Sequence, residues 1–313
     1  GLDYVDVQFL GYPQIIATAI LHSPAGVALV DPGPSSTLST LRTALSGKGI
    51  HPRDIRAIVL THIHLDHAGA TGTLVGELGD VTVYVHERGA THLIDPARLL
   101  DSANRLYGAD MNRLWGEFLP VPAANVRALK GGETIEVAGR RLEVAYTPGH
   151  ASHHVCYFDR ASGVAFTGDV TGIRRASGRY VMPPTPPPDI DLERWQESLD
   201  RVLAWSPDTL FITHFGPWRG VAAHVQEMRE RLRDWGQRSR ALIERDDLSE
   251  EQRMKEFQRQ IIQDLRRTMP ESEVEFYERA GRSDYSWQGL ARYWRKKISN
   301  EERGTRKEED GRL

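Results

Sequence analysis

Residues 61–69 read Thr-His-Ile-His-Leu-Asp-His-Ala-Gly, and this stretch decides how the rest of the chain is interpreted. Four of its side chains offer an imidazole nitrogen or a carboxylate oxygen to a metal: His62, His64, Asp66 and His67. A buried strand is expected just before them, at Ala57–Leu60, and a helix from about Ala68. A solvated His-rich loop is the alternative, but so many imidazoles beside a carboxylate in one tight loop are electrostatically unfavourable without a cation. The stretch therefore predicts a metal site.

Length and composition indicate an ordinary globular enzyme-sized protein. The 313 residues suffice for one large domain, or for one domain with a smaller annex. Hydrophobic residues make up 40% and charged residues 27%, both typical of soluble proteins. The net charge of −3 provides no broad basic surface, so no nucleic-acid partner is expected.

Neither a membrane span nor a disulfide is expected. No apolar run approaches the roughly 20 residues that cross a bilayer, and the N-terminus lacks the pattern of a signal peptide. Because residue 1 is Gly, an earlier removal of a leader stays open. The single cysteine, Cys156, excludes an intrachain disulfide and lies in an apolar alternating stretch, as in a buried strand. A reducing, cytoplasmic location fits best.

Other short apolar segments also end in a polar residue that can bind a metal. Val27–Val30 precedes Asp31, Leu142–Tyr146 precedes His150, Val164–Phe166 precedes Asp169, and Thr209–Ile212 precedes His214. If these strands lie in packed sheets, their C-terminal ends can gather at one edge. The polar residues would then share one site.

The segments between these strands favour helices. Residues 36–47, 96–118 and 191–204 have helical spacing of apolar residues. Met182–Pro188 contains five prolines and must be extended, either as a stiff connector or also as a wall of a cleft.

After residue 220 the apolar residues follow a helical 4-3-4-3 pattern, with Asp247 or Ser249 as a candidate cap. These C-terminal helices either pack on the main domain or a second subunit, which allows a homodimer, or cap the site and shape substrate access. Residues 301–313 are charged and predicted to be a flexible tail.

Taken together, these motifs resemble the metallo-β-lactamase superfamily. The resemblance runs from about residue 15 to residue 220 and rests on H-x-H-x-D-H at 62–67, Gly-His at 149–150, Gly-Asp at 168–169, Thr-His at 213–214 and the Asp-Pro-Gly turn at 31–33. It implies an α/β fold, an αββα sandwich with a helical C-terminal extension. The domains would be 1–220 for catalysis, 221–300 for the extension and 301–313 for the tail.

The resemblance also implies how the ligands are shared between two metals. His62, His64 and His150 would hold one ion, Asp66, His67 and His214 the second, and Asp169 would bridge them. Two Zn²⁺ suit this set, although iron and manganese accept the same ligand types. Flavodiiron relatives usually carry Glu where this chain has His64, which favours zinc.

A bridging Asp169 also indicates the branch of the superfamily. Zinc-dependent β-lactamases usually lack this residue, so the chain looks more like the glyoxalase II, lactonase and phosphodiesterase branches. The implied function is a binuclear zinc hydrolase that uses a metal-bridging hydroxide on a small ester, thioester or lactone. Asp66 and Asp169 would act first as ligands and only secondarily as proton carriers.

Three alternatives stay open at the level of sequence. A persulfide dioxygenase of the same fold would use one iron on His62, His150 and Asp169. A phosphodiesterase or nuclease would share the ligand set, although the acidic net charge counts against it. A structural metal in a binding protein is the third.

Several further residues have two readings. Thr61, Thr147 and Thr213 are interpreted as supporting or turn-stabilising groups beside the ligands. His153 and His154 are either supporting groups or proton donors to a leaving group, or else ordinary strand or surface residues. Arg174 and Arg175 either meet an anionic substrate or lie in a solvated loop. Four residues either line a cleft or belong to the core: Tyr107, Met111, Trp115 and Tyr180.

Overall fold

The computed structural model describes residues 1–176, 178 and 180–310, and its strands form two six-stranded sheets. The first sheet has its strands in chain order: β1 (Leu2–Asp6), β2 (Ala17–Ser23), β3 (Gly26–Val30), β4 (Ile55–Val59), β5 (Thr82–His86) and β6 (Val126–Leu129). The second also follows chain order: β7 (Thr134–Val137), β8 (Arg140–Tyr146), β9 (Val155–Asp159), β10 (Val164–Gly168), β11 (Thr209–Ile212) and β12 (Gly216–Trp218).

Both sheets are mixed, and helices make the parallel connections. In the first sheet β1 to β3 pair antiparallel and β3 to β6 pair parallel. Parallel neighbours need a crossover, which is provided by these helices: α1 (Leu38–Gly47), α2 (Leu65–Ala68), α3 (Thr71–Leu78), α4 (Glu87–Ile94), α5 (Ala97–Tyr107) and α6 (Met111–Trp115). In the second sheet α7 (Leu192–Ala204) connects the parallel pair β10 and β11.

The two sheets pack face to face, with helices on their outer sides. Alternation along β4 shows this: Ala57 and Val59 belong to an apolar cluster with Tyr157 and Phe166 of the second sheet. Ile58 points the other way, into the cluster that includes the helices. Successive strand residues face opposite sides, so the apolar run 57–59 of β4 packs against both layers. The predicted αββα sandwich is confirmed.

Four helices follow the sandwich: α8 (Val221–Ile243), α9 (Glu250–Thr268), α10 (Glu271–Gly281) and α11 (Ser283–Asp310). Buried aromatic rings join them, with Trp235 5.6 Å from Phe257 and Phe257 5.7 Å from Trp287 between ring centroids. Ser249, one of the two expected caps, begins α9 with a capping box to Gln252. The helical C-terminal extension is confirmed.

The predicted tail at 301–313 begins inside α11. Residues 301–310 continue this helix, because the chain stays hydrogen-bonded in helical geometry up to Asp310. Residues 311–313 lie outside the described residues. Flexibility of this segment stays a prediction.

The predicted helix at 96–118 is divided into α5 and α6. Gly108 ends α5 with a φ of 52°, and Gly116 ends α6 with a φ of 70°. Glycine enters this region of φ most easily, so the apolar spacing continues across a break between two helices. The helix expected from Ala68 starts earlier, as the single turn α2, and resumes as α3.

Cys156 lies in β9 and is fully buried, as its sequence context predicts. Burial raises the pKa of its thiol to about 12, which makes it unreactive. No helix within residues 1–176, 178 and 180–310 combines the length and the apolar character needed to cross a bilayer.

Close packing of α11 against the proline-rich segment makes Gly289 sensitive to substitution. A Cβ added there would lie 2.0 Å from the Thr185 carbonyl oxygen, a backbone atom that cannot move aside cheaply. We expect Gly289→Ala to lower the free energy of unfolding by about 1–3 kcal/mol, as overpacking does. Urea denaturation followed by circular dichroism measures this.

The matched control for this prediction is Gly76→Ala, because Gly76 also lies inside a helix and has open space around its Cα. There alanine should stabilise the protein by up to about 1 kcal/mol through helix propensity. Equal effects of the two substitutions would contradict the close packing.

Candidate metal centre

Every predicted ligand follows a strand, at one edge of the sandwich. β4 leads to the stretch His62–His67, and the other ligands follow β8, β10 and β11 of the second sheet. Two distinct groups of ligand atoms result. His62, His64, His150 and Asp169 form one group, and Asp66, His67 and His214 form the other; within each group the ligand atoms lie within 4.8 Å of one another. The structure thus brings together all seven predicted ligands.

Asp169 lies between the two groups. Its Oδ2 is 3.2 Å from His150 Nε2 in the first group. Its Oδ1 is 3.1 Å from His67 Nε2 and 3.3 Å from His214 Nε2 in the second. One carboxylate therefore faces both groups, one oxygen to each.

Backbone and side-chain acceptors orient three of the imidazoles. His150 Nδ1 donates to the Pro184 carbonyl oxygen at 2.9 Å, and His214 Nδ1 donates to the Ile15 carbonyl oxygen at 2.7 Å. His67 Nδ1 lies 2.8 Å from Asp31 Oδ2. When Nδ1 carries the proton, Nε2 is left with a free lone pair that points into the cluster.

The cluster contains buried polar atoms that make no hydrogen bond with the described residues, although Asp169 Oδ1 faces two imidazole nitrogens. His62 Nε2 and Asp169 Oδ1 are fully buried and make no hydrogen bond. Imidazole nitrogens also face each other, with His64 Nδ1 2.9 Å from His150 Nε2 and His67 Nε2 3.3 Å from His214 Nε2. Imidazole lone pairs that face each other, and buried acceptors without a hydrogen bond, are expected where a cation binds between them.

Charge interactions within the cluster agree with this. Burial, together with the neighbouring imidazoles His67 and His64, holds the pKa of His62 well below its ordinary value, so it is neutral. Burial opposes protonation of His214 as well, but Asp169 and Asp66 outweigh it and raise its pKa to about 10. The carboxylates thus attract positive charge into the second group. A divalent cation would provide the positive charge that these carboxylates attract. The imidazole nitrogens and carboxylate oxygens of the cluster are the donor set of a divalent-metal site.

Asp31 supports the cluster from beneath, a role that the sequence did not reveal. Its buried carboxylate accepts hydrogen bonds from the Thr61 amide (2.8 Å), the Thr61 hydroxyl (2.7 Å) and the Thr213 hydroxyl (2.9 Å), and it contacts His67 Nδ1. The sequence placed Asp31 in a turn motif and among the polar residues expected to share the site, but it did not indicate that Asp31 supports the ligand loop. Its φ of 50° directs the side chain under the ligand loop.

His154 supports Asp169 in a similar way. Its Nε2 accepts the Asp169 amide at 3.3 Å, and its Nδ1 lies 2.9 Å from the Thr147 hydroxyl. His153 lines the cleft beside the ligands and stacks on His62 at 6.0 Å between ring centroids. Both histidines are buried, so the reading as surface residues was wrong.

Arg174 is buried, which excludes the solvated loop that was the alternative for this residue. Its Nη1 pairs with Glu227 Oε2 at 3.0 Å, and its guanidinium lies 4.1 Å above the Trp218 ring. Its backbone amide donates to the His214 carbonyl oxygen at 2.6 Å. Arg174 therefore links α8 to the loop that carries a ligand. Arg175 is half-buried, with its guanidinium over Phe276.

A cleft of about 460 Å³ opens above the ligands. Tyr107 and Trp115 line it, whereas Met111 packs on the core and Tyr180 is fully buried. The prolines of the 182–188 segment form part of the wall, so this segment is more than a connector. The C-terminal extension contributes the end of α10 (278–281), Arg282 and Tyr285, and thereby shapes access to the site. His92 also lines the cleft, without any sequence motif to indicate it.

Comparison with known proteins places this geometry in one family. The family model described as the metallo-beta-lactamase superfamily matches residues 12–214. A metallo-beta-lactamase fold-containing protein of Sulfurisphaera tokodaii is 27% identical, over 69% of this chain and 78% of its own. A hydroxyacylglutathione hydrolase of Synechococcus is 30% identical over 48% of this chain and 46% of its own.

Several of these curated relatives match only in part. The chain spans about half of the Synechococcus enzyme, and 41% of a thioesterase of Emericella nidulans that is 25% identical to it. Among solved structures, a metallo-beta-lactamase family protein from Thermus thermophilus superposes with a TM-score of 0.62 at 27% identity, covering 78% of this chain and 83% of its own.

Proposed function

Because this chain belongs to the metallo-β-lactamase superfamily, whose members are hydrolytic enzymes, we propose that it hydrolyses a small ester, thioester or lactone with two divalent cations. The arrangement of Asp169 carries this proposal. Its Oδ2 faces the His62, His64 and His150 group, and its Oδ1 faces the Asp66, His67 and His214 group. A single ion on His62, His150 and Asp169 would leave the second group without a role.

In the proposed site, seven residues would bind the metal ions, and one of them would also carry a proton. The seven ligands would hold two zinc ions, since imidazole and carboxylate suit this metal. Such ions lower the pKa of bound water towards neutrality and polarise a carbonyl oxygen. Asp66, whose side chain is 23% exposed to the cleft, suits a secondary role as a proton carrier. A side-chain nucleophile is unnecessary in this chemistry.

The relatives support a thioester or ester more than a phosphodiester. Two of them are called hydroxyacylglutathione hydrolase and thioesterase. The cleft walls are mainly apolar, which suits an acyl group better than a nucleic-acid backbone. A small-molecule substrate, a cytoplasmic location and a homodimer through the C-terminal helices remain part of the proposal.

Metal quantification combined with a substrate panel tests the proposed function. We expect two zinc ions per chain, hydrolysis of thioesters, esters or lactones, and loss of hydrolysis after treatment with a chelator that zinc restores. Oxygen uptake with glutathione persulfide by iron-loaded protein, with no hydrolysis, would overturn the proposal in favour of a dioxygenase. Absence of stoichiometric metal would overturn it altogether.

A further inference from the structure

Helix α5 lies along the cleft and presents one face to it. Six of its residues line the cleft in sequence from its N-terminal to its C-terminal end, and those between Arg98 and Tyr107 are apolar except Ser102: Arg98, Leu99, Ser102, Ala103, Leu106 and Tyr107. Leu99 and Leu106 are half-buried, so this apolar face is directed at open space instead of being fully packed into the core. A half-exposed apolar face that lines a cleft is a binding surface for an apolar group.

Tyr107, at the C-terminal end of this helix, lines the same cleft as the candidate ligands Asp66 and Asp169. The Tyr107 ring is fixed between Trp115 and Tyr285, at centroid distances of 5.0 and 5.4 Å. Burial is the main cause of the raised pKa of the Tyr107 hydroxyl. The carboxylates of Asp66 and Asp169 and the hydroxyl of Tyr285 raise this pKa further. Tyr107 therefore marks the end of α5 where a substrate would react.

The other end of the helix carries a positive charge. Arg98 is exposed, lines the cleft and has no ion pair among the described residues. Of the other arginines that line the cleft, Arg113 and Arg282 are paired with Asp110 and Asp284, and the guanidinium of Arg279 lies over the Tyr12 ring. Arg98 thus keeps its hydrogen-bond donors free for a ligand.

These two ends lie a defined distance apart. Tyr107 follows Arg98 by nine residues, and at 1.5 Å per residue this corresponds to about 14 Å along the helix axis. The apolar side chains of Leu99, Ala103 and Leu106 fill the interval. A substrate that matches this order has a reactive carbonyl group beside Tyr107, an apolar chain along α5, and a negative charge about 14 Å from the carbonyl group.

We propose that the substrate is an acyl thioester or ester whose apolar acyl chain lies along α5 and ends in an anionic group bound by Arg98. This inference rests on the proposed function and specifies its substrate class. A carboxylate and a phosphate ester offer Arg98 the same chemistry, a pair of anionic oxygens for its planar guanidinium.

The experiment compares three series of N-acetylcysteamine thioesters, whose acyl chains run from short to long and end in a methyl group, a carboxylate or a phosphate. Release of thiol by the zinc-loaded full chain provides kcat and KM. We expect kcat/KM to rise with chain length in all series. Among long chains, an anionic end should improve kcat/KM about tenfold over a methyl end, as a charge-assisted hydrogen bond does. The better of the two anionic series identifies the anion.

In the variant Arg98→Gln, long substrates with an anionic end and with a methyl end should have about equal kcat/KM. The preference should be lost mainly through a higher KM for the anionic substrates. Arg105→Gln is the matched control, since it removes the same charge from the same helix at an exposed position outside the cleft. It should keep the preference of the wild type.

Two results would overturn the inference while the proposed function stands. One is hydrolysis that is independent of chain length and end group. The other is an anionic preference that Arg98→Gln and Arg105→Gln reduce equally, which would indicate long-range attraction instead of a binding contact. Failure of the proposed function itself is distinguishable, because no thioester of any series would then be hydrolysed by metal-loaded protein.

Discussion

The variant Asp169→Asn is expected to lose about a thousandfold in kcat/KM, because its carboxylate serves both ligand groups and metal centres supply several kcal/mol of transition-state stabilisation. Asn keeps the size of the side chain but lacks the charge, and its amide nitrogen cannot bind a metal. The oxygen facing His150 and the oxygen facing His67 cannot then both remain ligands. Metal content should fall below that of the wild type.

Hydrolysis kinetics and metal analysis of the same preparation measure both effects. Asp80→Asn is the control, since Asp80 is exposed and lies outside the cleft. Circular dichroism establishes that each variant is folded. Activity of folded Asp169→Asn within tenfold of the wild type would contradict the bridging position assigned to this residue.

The second large effect is expected at Asp31, which has no direct place in the ligand set. Asp31→Asn should weaken metal binding about 10- to 100-fold, the usual cost of losing a carboxylate that orients a ligating histidine. Asparagine tolerates the left-handed φ of 50° at this position. However, its amide cannot accept the Thr61 and Thr213 donors and also the His67 Nδ1 proton.

Competition with a chromophoric chelator measures this affinity. Thr213→Val provides the comparison, because it removes one hydrogen-bond donor to Asp31 and leaves the carboxylate in contact with His67. It should cost only about 1 kcal/mol of stability and should affect metal affinity less than Asp31→Asn does. If the two variants weaken metal binding equally, the carboxylate of Asp31 does not orient His67.

Most of the sandwich follows from local pattern. The apolar segments before Asp31, His62, Asp169 and His214 all form the strands expected of them, because strand formation here reflects short β-branched and aromatic runs ended by glycine, proline or polar residues. The helix predicted at 96–118 shows the limit of this approach. Its apolar spacing continues past Gly108, and the spacing alone does not show that the helix breaks there.

The same limit explains the errors and omissions at the site. Arg174 has no neighbour in sequence that predicts burial; Glu227 and Trp218, which enclose it, come from α8 and the adjoining strand. The role of Asp31 depends on Thr213, 182 residues away in sequence. Such contacts between distant segments leave no periodic signal.

The candidate metal ligands could be picked out from the sequence itself, because four of them lie within one short stretch and each remaining one follows a strand. Only the tertiary structure decided what surrounds them. It placed Asp31 beside His67, extended Asp169 between both ligand groups, and brought α5, the proline segment and the end of α10 together around the cleft. The physical reason is that a ligand needs only the right donor atom, whereas a cleft is formed by side chains whose approach depends on how whole sheets and helices pack.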